Sequence, residues 1–228
     1  MKTNQKKGRL IGLLLLLIVV AGIPSVNLRG LSTSMAASPE FLNEVFQKSM
    51  QMRLAVLLDI VAGALWLVVA VILFPVIKQY KKGMALGFFG IWIVYFAVII
   101  FSNISHLTLL SLSQEFIKAG ATDMSHFGTL GLLKIEEYFW AHYMAIILYA
   151  SAAWIFYYFL FKTQLVPRFL SAWGLIAISL PFIACWLTIF DISVSFYFFL
   201  QNGLHMIVLL LWLLVKGFNP TEKAVQSA

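Results

Sequence analysis

The sequence predicts an all-α protein, a bundle of six transmembrane helices. Three observations carry that prediction. Of 228 residues, 62% are hydrophobic and 11% charged, well short of the roughly 25% charged residues of a soluble domain, and mean hydropathy is +0.94. Apolar runs of roughly 20 residues recur, the length that crosses about 30 Å of hydrocarbon. The runs are continuous instead of alternating over about ten residues. A backbone in lipid must satisfy its own hydrogen bonds, so helices follow and barrel strands do not.

Six spans are read, at 10–25, 54–77, 84–110, 138–161, 169–190 and 195–215, within one integral membrane domain covering 1–228. The first follows the basic MKTNQKKGR. Such a segment also describes a signal peptide, but GIPSVNLRG offers no A-x-A site and SMAAS only a weak one, so a retained helix is the reading taken. Next comes SPEFLNEVFQKSMQMR. Ser38 can cap a helix there, with Pro39 at its first position. Phe41, Leu42, Val45 and Phe46 then form an apolar face, as in an amphipathic helix lying on a membrane surface.

The second span carries Asp59 and ends near Pro75, and the third closes on Ser102, Asn103, Ser105 and His106. The stretch SQEFIKAGATDMSHFGTLGLLKIEEY is Gly-rich and reads as a loop with a short helical start. Span four contains His142, span five Pro181, and span six Gln201, Asn202 and His205. Gly83 with Gly87, and Ala141 with Ala145, are small residues four apart that let helix backbones approach.

Lys and Arg placement sets orientation. One side collects Lys2, Lys6, Lys7, Arg9, Lys78, Lys81, Lys82, Lys162, Arg168, Lys216 and Lys223; the other has Arg29, Lys48, Arg53, Lys118 and Lys134 diluted by carboxylates. Both termini are therefore expected in the cytoplasm, with the amphipathic helix extracytoplasmic. This distribution accounts for the net charge of +7 through topology and phospholipid contacts, with no nucleic-acid patch needed. The one cysteine, Cys185, rules out an intramolecular disulfide.

The polar residues inside the spans carry the functional information, because ionisable groups in membrane helices usually face a bundle interior or a cavity. They are Asp59, Asn103, His106, His142, Gln201, Asn202 and His205. At about 1.5 Å per helical residue from the basic ends, Asp59 lies about 28 Å up, His142 about 30 Å, His106 about 36 Å and His205 about 16 Å. Asn103 with His106, and Asn202 with His205, are three apart and share helix faces. Together these residues can line an outward-opening pocket for a small molecule, lipid headgroup or ion.

Plain alternatives stand beside that pocket. His106 and His142 can bond headgroups or water, Asp59 can pair with Arg53 or with a neighbouring helix, Gln201 and Asn202 can join helices, and His126 can simply be solvated. Chemically, Asp59, His106, His142 and His205 are also a sufficient ligand set for a transition metal, and two facing His can ligate haem. No HExxH or other spacing motif supports either group, and no two of these His share a span. An intramembrane metal-dependent enzyme and a structural subunit of a membrane complex therefore remain beside the binding pocket. Lipids are the expected partners, together with a homo-oligomer or another membrane protein. NIS at Asn103 matches a glycosylation sequon but falls at the end of an apolar helix.

Several stretches resemble one family. FYYFLFKTQLVPRFLSAWGLIA is similar to the Pro-Arg turn of the DUF4386 family, bacterial multi-pass proteins of uncharacterised function, and LLLWLLVKGFN is similar to that family's ending. RLAVLLDIVAGALWLVVAVILFPVIK, with its early Asp59, and the His142 region also resemble it. The resemblance implies a six-helix protein of the bacterial cytoplasmic membrane. It brings no established activity, so no catalytic residue is carried over.

Overall fold

The computed structural model describes residues 2–30, 38, 40–121 and 124–219, which are helical apart from short turns. Seven helices follow in order: α1 Lys2–Arg29, α2 Phe41–Gln47, α3 Ser49–Tyr80, α4 Lys82–Lys118, α5 Met124–Thr163, α6 Arg168–Ile189 and α7 Tyr197–Val215. All but α2 are long and apolar enough to cross a membrane. The SMAAS segment (apart from Ser38), Pro39 and Lys223 lie outside the described residues.

These helices are apolar on their exposed as well as their buried faces. On α3, Leu54, Leu57, Val61, Val68 and Val71 are exposed while Ala55, Ala62, Val69 and Leu73 are buried. A helix apolar all round belongs in a core or in lipid, and an exposed apolar stripe leaves lipid. Pro24, Pro75 and Pro181 sit inside α1, α3 and α6 without ending them, as membrane helices tolerate.

The stretch read as a Gly-rich loop is mostly helix. α4 runs on to Lys118 and α5 starts at Met124, so His126 is helical. Gly120 supplies the stop: at φ +81° its N–H reaches the Ile117 carbonyl, and the Ala121 N–H reaches that of Phe116. This is the Schellman closure that satisfies a helix's last carbonyls. Gly131 is a packing residue, since a Cβ there would run into the Phe41 ring.

The chain divides into two compact units. The first comprises the described residues of Met1–Ile18, Leu65–Tyr95 and Ala145–Ala228; the second comprises the described residues of Val19–Ala64 and Phe96–Met144. Within the first, α1 meets the end of α7 through Gly8 and Gly12. A Cβ on Gly12 would lie 2.7 Å from the Leu214 backbone nitrogen, so two backbones touch there. Arg9 Nη2 donates to the Val215 carbonyl at 3.2 Å, serving one of the α7 carbonyls left without a helical partner. Gly83 and Gly87, expected to make such a contact, have nothing near them. Trp66 stacks on Trp92 at 4.5 Å, and Tyr149 sets its edge against both.

Within the second unit, Phe41, Leu42 and Val45 of α2 are buried with Leu109, Leu110, Phe116 and Ile135. The apolar face of α2 is thus covered by α4 and α5 and is not left for a membrane surface; only Phe46 of that set is exposed. Filling the Gly131 notch with Leu should push Phe41 out of this cluster. Overpacking of this kind loses about 1–3 kcal/mol, which a thermal melt in detergent with a fluorescent thiol or tryptophan readout would register.

Candidate functional site

The opening for chemistry is in the second unit, where the end of α1 meets α3, α4 and α5. Arg29, in the last turn of α1, is only 5% exposed. Its Nη2 lies 3.0 Å from Asp59 Oδ2 on α3 and donates to Asn103 Oδ1 on α4 at 3.2 Å. Asn103 Nδ2 donates to the same Asp59 oxygen at 2.8 Å and to the Ile99 carbonyl of its own helix, also at 2.8 Å. The three side chains close a ring in which the amide orients both charges. The partner of Asp59 is therefore Arg29; Arg53 is exposed.

Tyr138 on α5 forms the floor. The Arg29 guanidinium sits 4.7 Å from its ring centroid, a cation–π arrangement. His106 meets the same ring edge-on at 5.5 Å, and His142, one turn along α5, stacks on it at 5.9 Å. Beside this group, Glu137 accepts hydrogen bonds from Ser105 Oγ at 2.5 Å and Lys134 Nζ at 2.6 Å. Ser102, Asn103, Ser105 and His106 are all buried. Asn103, the sequon residue, thus spends its amide on Arg29, Asp59 and Ile99.

Several polar atoms here make no hydrogen bond within the protein. They are both ring nitrogens of His106, Arg29 Nε and Ser25 Oγ, all buried. Ser25 is one turn before Arg29 on α1, and the guanidinium and His106 share the Tyr138 ring. An unpaired buried donor or acceptor costs about 1–3 kcal/mol, so native proteins rarely gather them without a reason.

The remaining candidates lie in the first unit. His205 is fully buried, with Nε2 2.9 Å from the Leu170 carbonyl. Tyr157 and Trp173 present ring edges to it at 4.8 Å and 5.2 Å. Gly174 makes room for it, since a Cβ there would lie 2.7 Å from the imidazole. Asn202 Oδ1 is buried without a hydrogen-bond partner in the protein, Tyr149 Oη turns to Met206 Sδ at 3.9 Å, and Gln201 is exposed. Among the described residues no group of three or more His, Cys, Asp or Glu is placed to hold a metal ion. Arg29 was not among the candidates read from the sequence, although a lone Arg closing an apolar span is a signal that could have found it.

Fold and site together define a multi-pass helical membrane protein whose second unit contains a buried ion pair and unpaired polar atoms. The family described as "Domain of unknown function (DUF4386)" matches residues 10–217, nearly the whole chain, and the protein belongs to that family. No curated protein and no solved structure matches it.

Proposed function

We propose that the polar cluster of the second unit binds a small hydrogen-bonding molecule in a bacterial cytoplasmic membrane, on the side away from the termini. The Lys and Arg asymmetry supports that orientation. The observation that carries the binding reading is His106, buried with both ring nitrogens unpaired beside a guanidinium that keeps Nε free. A neutral imidazole has one donor and one acceptor, and Arg29 Nε–H adds a donor. Since Asp59 already balances the Arg29 charge, an uncharged ligand with both a donor and an acceptor suits the cluster better than an anion. Asp59, Asn103, His106 and His142 form this site with Ser25, Arg29 and Tyr138.

The test uses protein with ¹⁵N-labelled histidine in nanodiscs, with urea, glycerol and inorganic phosphate as probes. Urea or glycerol should shift the His106 ring signals saturably, and phosphate should leave them in place. His106→Phe should raise stability by about 1–3 kcal/mol by removing two unpaired buried atoms. Such a gain marks a residue kept for function at the expense of stability. If no neutral probe shifts His106, the binding reading fails and a scaffold role replaces it.

A further inference from the structure

We propose that the α5–α6 face of the first unit holds one anionic phospholipid, its acyl chain in a groove and its phosphate at Lys162 and Arg168. The groove has a volume of about 400 Å³ and is walled by Ala150, Ser151 and Trp154 of α5 and by Ser179, Phe182 and Ile183 of α6. Both of its hydroxyls are turned inward: Ser151 Oγ donates to the Ile147 carbonyl and Ser179 Oγ to that of Leu175, each at 2.8 Å. With its donors spent, the wall suits hydrocarbon.

Helix geometry ties this groove to two cations. Lys162 is eleven residues after Ser151 on α5, and Arg168 is eleven residues before Ser179 on α6. Eleven residues are close to three turns, about 16 Å, so each cation shares a helix face with its serine and both stand at one height. That distance is about half of the roughly 30 Å hydrocarbon thickness, the depth of one leaflet. Between groove and charge, Trp154 stacks on Tyr158 at 5.8 Å, and Lys162 Nζ lies 5.6 Å over the Tyr158 ring. Lys162 and Arg168 are exposed, and among the described residues neither pairs with a carboxylate. Membrane dimers that share one axis along the bilayer normal would set like cations at the same height, which disfavours a second copy as the occupant. This site is independent of the polar cluster in the second unit.

The experiment photolabels the intact protein in vesicles with a diazirine-tailed phosphatidylglycerol or a phosphatidylcholine of the same chains. Two basic side chains predict a preference of about tenfold or more for the anionic lipid, with label on the groove residues of α5 and α6. The double variant K162A/R168A should fall to the phosphatidylcholine level, and Ser179→Phe should reduce labelling by both lipids. Equal labelling of the wild-type groove by the two lipids, or label spread evenly over all exposed helices, would each overturn the proposal. The wild-type comparison decides the matter even if a variant fails to fold.

Discussion

Asp59→Ala is expected to lower stability by about 3–5 kcal/mol, the range for leaving a buried charge without its partner. The reason is the asymmetry of the pair. The Arg29 side chain is 4% exposed and that of Asp59 21%, so loss of the carboxylate strands a nearly buried guanidinium without its counter-charge. The reverse change, Arg29→Met, should be milder, because Asp59 keeps Asn103 Nδ2 and some solvent access. Replacing both, R29M with D59L, should restore most of the loss, since an apolar pair of similar volume often matches or exceeds a buried ion pair. Unfolding in mixed micelles of the two singles and the double provides the cycle. Additive losses in the double variant would show that the ion pair is not the fastening described here.

Gly12→Leu is the second large effect, expected at about 3 kcal/mol or more, at the upper end of overpacking losses. At Gly63, Gly131 and Gly174 an added Cβ would meet side chains, but here the obstacle is the Leu214 backbone. α1 must therefore move away from α7, and the Arg9 bond to the Val215 carbonyl is lost with it. Gly87→Leu serves as the control: nothing lies within 4 Å of a Cβ at that position, so its melting temperature should stay close to wild type.

Much of this molecule is legible in its sequence. Continuous apolar runs determine helices and membrane burial, because lipid leaves a backbone no partner but itself. Asp59, Asn103 and His106 were legible as well, since a polar side chain within an apolar run needs an explanation. Gly120 as a stop was hidden among other glycines, because composition does not separate a glycine that ends a helix from one, like Gly131, that makes room for an aromatic ring.

The helix count, the apolar surface and a short list of polar residues follow from the order of the amino acids alone. Which partners those residues take follows from the packed helices. Asp59 lies 30 positions from Arg29 and 44 from Asn103, and no local periodicity links positions so far apart. The same holds for His205, which is locked to the Leu170 carbonyl because Gly174 leaves it room, and for Gly8 and Gly12, which do the work expected of Gly83 and Gly87. Hydrophobic patterning decides what leaves water, while pairing depends on which helix faces meet, and that is settled by packing across the bundle.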